Sequence, residues 1–588
     1  MTDTWTWATV TQATPLRIKV DGDTSALDAT TDNLVGSLAV DDRVRVHLHS
    51  DGIIVTGVQG GAPVSYVSVR DYGVTSDGTT DDTTNFQTAW DAAATAGLPL
   101  ILEPNTTVMV DAITIPDGGR LNLNGATIKK TAATGTAMLT GTGVSNIEIW
   151  GGTLDGDKAS YATVTEHRHG IDVRSCSDVY IHDLTTIRHK GDGVYVGALG
   201  AAGCSQVRME RVVCSENHRQ GMSVTAVDGF VATDCLFTLT SGTNPAAGVD
   251  IEVNAADIVC TNIRFIACTF SNNDHYGFAS IFLFTPTVAQ GQVMLVGCTS
   301  SGNGTLDDSQ TDGLYIRGTN ELTVSGGLVT GNKGVGVNIA GPEINRNIRL
   351  TNVTISKNGR YGMDVSSPLN GLTVTGCSFL GNSVGNGGSV AGTLDAVGFN
   401  SSASNTNITF VGNITDAVNH RYGIKTNANV DSLTLVGNSW AGVTAATVLN
   451  DDATQRLALD TEGSEWTAYT PAWAASTTDP ALGNGTLTGA WTQIGKTVHW
   501  RLRLAAGSTT TFGAGYYQFT LPVAASGLAS YGAIGTAVSN SDFIGVVLYL
   551  WGGIQIRVMT NAGQVTATNP ATFTSASIFT LAGTYEAT

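Results

Sequence analysis

Eight short segments of the chain share one pattern of hydrophobic and polar positions: a glycine, an apolar residue, any residue and, in most segments, another apolar residue. Successive glycines are 23 to 36 residues apart, and they are Gly170, Gly193, Gly221, Gly248, Gly277, Gly313, Gly336 and Gly362. A repeat of this length, built from short β runs and turns, is typical of a solenoid. Equivalent positions of successive coils then stack in columns, so the sequence can be read as a map of the surface.

Two further short strands complete each predicted coil, as at residues 322–324 and 353–355. Several turns carry an asparagine four residues before the glycine, namely Asn217, Asn273, Asn332 and Asn358. Asparagine tolerates left-handed backbone, and its amide can pair with a copy in the next coil. We therefore expect a structural asparagine ladder.

The eight cysteines form no CxxC pair, and four of them occupy matching places in the repeat: Cys235, Cys268, Cys298 and Cys377. Matching places point the same way in every coil, so we expect buried free thiols that pack as small hydrophobes. A disulfide or metal framework is the less favoured alternative, because the spacing suits neither.

The pattern changes on both sides of the coils, which predicts an all-β chain of several domains. Alternating runs at residues 16–20, 43–48 and 53–58 predict a small β-barrel over residues 1–62. The coils extend over 63–450 behind a helix at about 83–96, capped by Asp81 or Asp82, with Phe86, Trp90 and Ala94 on its apolar face and Gly97 at its end. After a linker at 451–466, alternating runs predict a β-sandwich over 467–588.

Composition narrows the function. Only 13% of the residues are charged, the formal net charge is −19, and no basic patch stands out. Binding to nucleic acid needs clustered lysine and arginine, so that class is disfavoured. The first residues lack the basic and apolar regions of a signal peptide, and no apolar stretch approaches the length of a membrane span. We therefore expect neither secretion through a leader nor membrane insertion.

The segment Asp71-Tyr72-Gly73-Val74, the acidic turn at 77–83, the helix and the glycine-led coils together resemble the pectate-lyase-like right-handed parallel β-helix family. They are most similar to the version found in bacteriophage tailspikes and related polysaccharide-degrading proteins, over residues 64–445. Residues from Trp466 onward resemble C-terminal modules of minor tail proteins in phages of actinobacteria, and the N-terminal module resembles tail modules of the same group. The resemblance implies a homotrimer in the virion tail that acts outside the cell.

By the same resemblance, the N-terminal module attaches to phage tail or baseplate proteins, and the partner at the distal end is a host surface polysaccharide. The C-terminal module would serve trimerisation or glycan binding. In a trimer, grooves can lie between subunits, so a neighbouring chain could contribute a residue.

Alignment of the coils on glycine predicts which side chains face outward: residues one and three after glycine face the core, and residues two and four face solvent. Neighbouring coils are about 4.8 Å apart, so the outward columns suit an extended sugar polymer. The candidate substrate-binding residues are Asp172, Arg174, Tyr195, His218, Tyr276, Tyr315 and Arg317. Any solvated sheet needs polar outward residues, which fully explains Ser223, Thr225 and Asn338.

One coil is not explained by the general need for polar outward residues, because Asp250 and Glu252 place two carboxylates on the same face. Their Cα atoms would be roughly 6.6 Å apart from strand rise, and inverting glycosidases hold their carboxyls about 6.5–9.5 Å apart. Asp192 is a third candidate catalytic residue, although it and Asp312 can equally be turn formers before glycine; for Asp312 we prefer the turn interpretation. His167 and His169 are expected to be solvated turn residues.

Three functions remain open: a glycoside hydrolase acting through Asp250, Glu252 and Asp192, a receptor-binding fibre without catalysis, and a stiff structural spacer. A lyase ranks below a hydrolase. It would need a base from Arg174, Arg317, Lys190 or His182 and usually a calcium ion, and no run of three stacked acids marks a calcium site. We expect no metal and no cofactor.

Overall fold

The computed structural model describes residues 4–13, 16–22, 24–25, 31–33, 43–49, 52–58, 66–131, 136–161, 167–305, 311–385, 392–416, 419–427, 429–440, 446–449, 456–459, 466–494, 496–526, 533–539, 542–551, 555–560, 563–569 and 572–587. Residues 60–63, between the N-terminal domain and the coils, lie outside these ranges, as does most of the predicted linker 451–466.

The N-terminal domain contributes a five-stranded sheet, and the alternation of apolar and polar residues explains it. Its strands, in spatial order, are Leu16–Val20, Thr4–Ala13, Arg43–His49, Gly52–Val58 and Thr31–Asn33. Alternate residues are buried in three of these strands: Ala8 and Val10, Ile18 and Val20, and Val44 and Val46. The three runs identified in the sequence are strands of this sheet.

One α-helix, Thr83–Thr95, covers the beginning of the coils, and Gly97 follows it in the left-handed region at φ +68°. Asp82 is the residue before the helix, but its carboxylate accepts from the backbone N–H groups of Thr75 and Ser76. Asp81 Oδ1 accepts from Thr83 N at 3.0 Å instead. The buried face consists of Phe86, Ala89, Trp90 and Ala93, so the prediction of Ala94 was wrong by one position.

The glycine-led segments form one parallel sheet of thirteen strands in the described residues, which we call the glycine-led sheet. Its strands are Ile113–Thr114, Leu139–Thr142, Ile171–Arg174, Val194–Gly197, Met222–Val224, Val249–Val253, Phe278–Phe282, Leu314–Arg317, Val337–Ala340, Met363–Val365, Val397–Phe399, Tyr422–Lys425 and Ala446–Leu449. Each strand pairs in register with the equivalent strand of the next coil, as Val249 does with Phe278.

Two further parallel columns complete the coils. The second sheet contains Val67–Ser68, Leu100–Ile101, Arg120–Asn122, Ser145–Asp155, Ser177–Ile187, Cys204–Glu210, Val227–Thr233, Cys260–Ile266, Val293–Val296, Asn320–Ser325, Asn345–Thr351, Leu369–Thr375, Asn405–Val411, Leu433–Val436 and Arg456–Leu459. The third contains Asp77–Asp81, Thr107–Val110, Thr127–Lys130, the ends of Ser145–Asp155 and Ser177–Ile187, and then Val213–Ser215, Leu236–Thr238, Thr269–Ser271, Thr299–Ser301, Leu328–Thr330, Thr354–Ser356, Ser378–Leu380 and Ile414–Thr415. Short 3₁₀ turns lie at Val69–Tyr72 and Lys158–Ser160. The architecture is a right-handed parallel β-helix, as predicted.

The solenoid extends beyond its predicted end at residue 450. Strand Arg456–Leu459 pairs in parallel with Leu433–Val436, so residues assigned to the linker add a further strand to the second sheet. The alternation Arg-Leu-Ala-Leu is too short to be distinguished from a linker by its pattern alone.

The interior of the solenoid is apolar, and the cysteines belong to it. All eight are buried and unpaired, in agreement with the prediction of free thiols. Cys235, Cys268 and Cys298 lie in register in successive coils, where the hydrogen bond from Thr269 N to Cys235 O is repeated by Thr299 N to Cys268 O. These thiols pack in the core as small hydrophobes.

Three of the four predicted asparagines form a ladder, which also includes Asn303 and Asn382, whereas Nδ2 of Asn217 has no hydrogen-bond partner among the described residues. The amide Nδ2 of each asparagine donates to Oδ1 of the next at 2.8 to 2.9 Å through Asn273, Asn303, Asn332, Asn358 and Asn382. The left-handed residue of each turn is the one before the asparagine, such as Asn272 or Lys357, and not the ladder residue itself. The repeated glycines serve the same stack, since a Cβ at Gly248 would meet Asn273 Nδ2 at 2.8 Å.

The C-terminal domain is a ten-stranded antiparallel sheet within the described residues: Thr467–Tyr469, Trp473–Ala475, Thr486–Ile494, Thr497–Ala505, Tyr517–Thr520, Ala533–Ser539, Asp542–Trp551, Gln555–Thr560, Gly563–Gln564 and Ile578–Glu586. Three strands separate Tyr517–Thr520 from Ile578–Glu586 along the sheet, yet the rings of Phe519 and Phe579 are 6.3 Å apart. One continuous sheet therefore folds into two facing layers, the sandwich arrangement that the sequence predicted.

Candidate functional site

The outward column of the glycine-led sheet has the predicted register. Asp172 pairs with Tyr195, Tyr195 with Ser223, and Ser223 with Asp250. Beyond Asp250, the column continues through Ala279 to Tyr315. Parallel pairing places these side chains on successive rungs about 4.8 Å apart, so the acidic coil lies in the middle of a row of candidate residues.

The outward residues are not simply solvated, which differs from the expectation for this face. Asp250 is 1% exposed, Ser223 2% and Asp172 5%, whereas Glu252 is half-buried. The explanation of Ser223 as an ordinary solvated residue is therefore wrong. Burial of several polar side chains on one outward face means that neighbouring side chains cover them, and such burial is costly unless it has a use.

Asp192 and Asp250 belong to one network, which we call the acid cluster together with Gln220, Arg219 and Glu252. Asp192 Oδ1 accepts from Gln220 N at 3.2 Å, and Gln220 Nε2 donates to Asp250 Oδ2 at 3.4 Å. Arg219 Nη1 is 3.5 Å from Asp192 Oδ2. The side chain of Asp192 thus lies on the same face as Asp250, the condition on which its candidacy as a third catalytic residue depended.

Burial makes both aspartates unusually weak acids. Desolvation raises the pKa of Asp192 to about 7, although the positive charge of Arg219 acts in the opposite direction. Burial also raises the pKa of Asp250 well above its ordinary value, and the neighbouring charge of Glu252 raises it further. A carboxyl that keeps its proton near neutral pH can act as a general acid.

Three buried polar atoms of the acid cluster have no hydrogen-bond partner among the described residues: Asp192 Oδ2, Gln220 Oε1 and Asp250 Oδ1. Buried polar atoms in folded proteins are nearly always paired, so such exceptions call for an explanation. All three atoms belong to side chains that are at most 1% exposed. Together with the raised pKa values, they mark the acid cluster as a place built for something other than stability.

The N-terminal side of the cluster is polar and closely packed. The ring of Tyr195 stacks on His169, with centroids 4.9 Å apart, and the Arg174 guanidinium lies 4.7 Å from the Tyr195 centroid. Arg174 Nε in turn donates to Asp172 Oδ1 at 2.9 Å. His169 is buried, with Nδ1 accepting from Asp192 N at 3.0 Å, so its assignment to a solvated turn was wrong.

The C-terminal side of the cluster is apolar. Tyr276 and Tyr315 stack with centroids 4.5 Å apart and pack with Ala247, Ala279 and Ile281. We call these five residues the aromatic platform. Since Ala279 and Ile281 pair in register with Asp250 and Glu252, the platform begins on the rung next to the two carboxylates.

Two predicted substrate-binding residues have other surroundings. Arg317 forms a two-point ion pair with Glu343, with Nε and Nη2 at 2.7 and 2.8 Å from the carboxylate oxygens. His218 lies at a turn, where its Nε2 is 3.2 Å from Thr243 Oγ1. Burial lowers the pKa of His218, and Lys190 and Lys158 are the charges that act on it; the acid cluster is not among them.

Three of the four bases that a lyase could use, Arg174, Arg317 and His182, are engaged in other contacts. His182 lies on the second sheet, stacked between Trp150 and Tyr180, away from the glycine-led sheet. Arg174 and Arg317 are held in ion pairs that favour the protonated form. Asp312, expected to be a turn former, is buried and accepts from Val335 N and Asn338 Nδ2 of the next coil.

Sequence reasoning gave no role to Gln220, Arg219 or Glu343, and it placed His169 in a solvated turn. Gln220 and His169 stand in the outward position before glycine, the column that also supplies Asp192, and this shared position is the signal that the sequence offers. Glu343 gave none, because it lies in a turn 26 residues beyond Arg317. In the part of the chain that the structure describes, no group of three or more His, Cys, Asp or Glu residues could hold a metal ion, and no helix there is long and apolar enough to cross a membrane.

Comparisons with known sequences yield little. No protein-family model matches the chain. The uncharacterized protein YclG of Bacillus subtilis (strain 168) is 26% identical over 220 residues, which cover 32% of this chain. The match spans 38% of that protein, well under half of its length.

Alignments with solved structures cover more of the chain, although at lower sequence identity. The tailspike protein of E. coli bacteriophage HK620, solved with a hexasaccharide, aligns with a TM-score of 0.50 and 12% identity over 88% of this chain and 93% of that one. Tailspike protein 3 of bacteriophage CBA120 gives 0.48 and 15% identity over 70% and 63% of the two chains. The A-module of the mannuronan C-5 epimerase AlgE4 of Azotobacter vinelandii gives 0.44 and 18% over 67% and 99%. The first likeness agrees with the fold: the chain is a right-handed parallel β-helix of the architecture found in tailspikes.

Proposed function

We propose that this chain is a phage tailspike that binds a host surface polysaccharide and hydrolyses it at the acid cluster. The observation that carries the proposal is the pairing of Asp250, a buried carboxyl with a raised pKa, with the half-buried carboxyl of Glu252 on the same strand. The shared fold with a tailspike solved with a hexasaccharide supports the polysaccharide as ligand. The homotrimer and the attachment to tail proteins remain part of this proposal.

In the proposed reaction, Asp250 donates its proton to the glycosidic oxygen as the bond from the anomeric carbon to that oxygen breaks. Glu252 takes a proton from a water molecule whose oxygen bonds to the anomeric carbon. The products are a new reducing end and a free hydroxyl, with Asp250 ionised and Glu252 protonated until solvent restores both. Asp192 and Arg219 set the charge around Asp250.

Glycan binding must first uncover Asp250, because its Oδ1 is buried. Arg219 is the charged neighbour of both buried aspartates that reaches the surface, with an 18% exposed side chain. Its displacement by a sugar would expose the acid and also remove a charge that lowers the pKa of Asp250. Substrate binding and activation of the acid would then be one event.

The same burial favours a second candidate, a receptor-binding spike without catalysis. If Arg219 stays in place, Asp192 and Asp250 never meet a sugar, and the aromatic platform beside them only holds the glycan. The two functions share a binding face and differ in whether a glycosidic bond breaks.

Incubation of the full chain with polysaccharide released from host envelopes separates these functions. Hydrolysis raises the number of reducing ends without a change in absorbance, and Glu252→Gln abolishes the rise. A lyase would instead increase absorbance near 235 nm. Binding without new reducing ends would overturn the hydrolase proposal and leave the receptor-binding spike.

A further inference from the structure

Two of the three arginines of the groove, Arg174 and Arg317, are paired with carboxylates of the protein, and the third, Arg219, lies 3.5 Å from Asp192 Oδ2. Arg174 makes three contacts of 2.9 to 3.2 Å with the carboxylate of Asp172. Arg317 makes its two contacts with Glu343. Recognition of a carboxylate, sulfate or phosphate group usually requires a guanidinium whose paired N–H groups face the ligand. Here the carboxylates of the protein already occupy these groups.

The net charge of the face leads to the same conclusion. Along the column from Asp172 to Arg317, the groove contains three arginines and three carboxylates in addition to the buried Asp192, Asp250 and Asp312: Arg174, Arg219, Arg317, Asp172, Glu252 and Glu343. These six charges cancel. The face is therefore neutral when the three buried aspartates are protonated and negative when any of them ionises. The whole chain carries a formal charge of −19, which adds a long-range repulsion of polyanions.

The aromatic platform supplies the complementary attraction. Tyr276 is 6% exposed and Ala279 is fully buried, whereas Tyr315 and Ile281 are half-buried, so the platform presents part of the Tyr315 ring together with Ile281. Sugar rings carry C–H groups on one face, and this apolar surface suits such a face without requiring charge. Its position one rung from Glu252 places a bound sugar next to the proposed site of cleavage.

From these contacts we infer that the glycan is uncharged, a polymer of neutral sugars without uronate, sulfate or phosphate groups, and that one of its sugars packs on the Tyr276–Tyr315 platform. The inference rests on the proposed function, since it names the substrate class of the same groove.

The test separates host envelope polysaccharide by anion exchange into a fraction that flows through and a fraction that is retained. Binding to the full chain carrying Glu252→Gln, which prevents turnover, is measured for both fractions. We expect the neutral fraction to bind and the acidic fraction to bind at least tenfold more weakly. Tyr315→Ala should weaken neutral binding about tenfold, in the range of one aromatic contact. Tyr180→Ala, a half-buried tyrosine of the second sheet, should leave it unchanged.

A gain of function gives the sharper test. Glu343→Gln removes the carboxylate partner of Arg317 and changes no residue of the acid cluster or of the platform. If the paired arginines are what excludes anions, this variant should bind the acidic fraction at least tenfold more tightly than the parent and the neutral fraction within threefold of it.

Preferential binding of the acidic fraction by the parent protein would overturn the inference while leaving the proposed function intact. If Lys190→Gln then abolished that binding, the anion would be received at the turn near His218 instead of in the groove. Binding of neither fraction would contradict the proposed function itself, and the inference would fall with it.

Discussion

The asparagine ladder and the acid cluster are both stacks of buried polar side chains in neighbouring coils, and Nδ2 of Asn273, the first residue of the ladder, faces Gly248, two residues before Asp250. In the ladder, each amide donates to the next coil and accepts from the previous one. In the acid cluster, Asp250 Oδ1 and Gln220 Oε1 have no such partner among the described residues. Where a polar repeat continues from coil to coil, its hydrogen bonds stabilise the solenoid. Where it is interrupted, buried polar groups remain unpaired and can take part in a reaction.

The largest expected effect follows from a substitution in the acid cluster. If Asp250 is the proton donor, Asp250→Asn should lower the rate of glycan cleavage by about 10²–10⁴-fold, because the amide has no acidic proton to donate. Reducing-end assays on folded protein measure this effect. The matched control is Asp364→Asn, which changes the equivalent outward residue of another coil and should leave the rate within about threefold. Equal losses in both variants would mean that the column, and not the cluster, matters.

A second prediction concerns stability and pH. The pKa of Asp192 is raised from 3.8 to about 7, so the folded state holds this proton more tightly than the unfolded chain does. The stabilisation is complete below about pH 4 and is lost as the pH rises through 7, at a cost of roughly 3–4 kcal/mol. Asp192→Asn mimics the protonated form and should therefore increase the free energy of unfolding at pH 8 but not at pH 4.

Denaturant unfolding at several pH values measures that difference. Asp183→Asn is the control with the opposite sign, since the ion pair with Arg211 lowers the pKa of Asp183 and its carboxylate stabilises the fold at neutral pH. If Asp192→Asn destabilised the protein equally at both pH values, Asp192 would be a turn former and not a strained member of the site.

The smallest expected effect follows from a substitution in the asparagine ladder. Asn332→Ala removes the acceptor of Asn303 and the donor to Asn358, leaving buried amide groups unpaired. We expect a loss of about 2–3 kcal/mol in the free energy of unfolding. The rate of cleavage by the protein that remains folded should not change. A lower rate at full folding would show that the ladder positions the groove residues as well as stabilising the coils.

The register of the solenoid could be predicted because it is local: glycine, the next apolar residue and the asparagine four positions earlier recur together. The same register placed Asp250 and Glu252 on one outward face. Burial could not be predicted, because the side chains around Asp250 come from other coils, Arg219 being 31 residues earlier. Pairing of Arg317 with Glu343 was equally hidden, since their contact depends on a turn of the next coil and not on strand alternation.

The helix shows the same limit on a smaller scale. The pattern identified Phe86 and Trp90 correctly, but Ala93 and Ala94 are equivalent in composition and only packing against the first coil distinguishes them. In the C-terminal domain, alternation predicted strands and layers, yet it could not reveal that a single sheet folds on itself.

The spacing of the glycines has one more consequence. The coil from Gly277 to Gly313 has 36 residues and the coil from Gly313 to Gly336 has 23, yet Phe278, Leu314 and Val337 pair in unbroken register. Length is absorbed entirely by the turns, while the pitch of the sheet stays fixed by hydrogen bonding. Insertions at the turns can thus change the height of the turns beside a bound polysaccharide without moving the strands of the glycine-led sheet on which it lies. The range of ligands that the turns can contact and the rigidity of the β-helix can therefore vary independently.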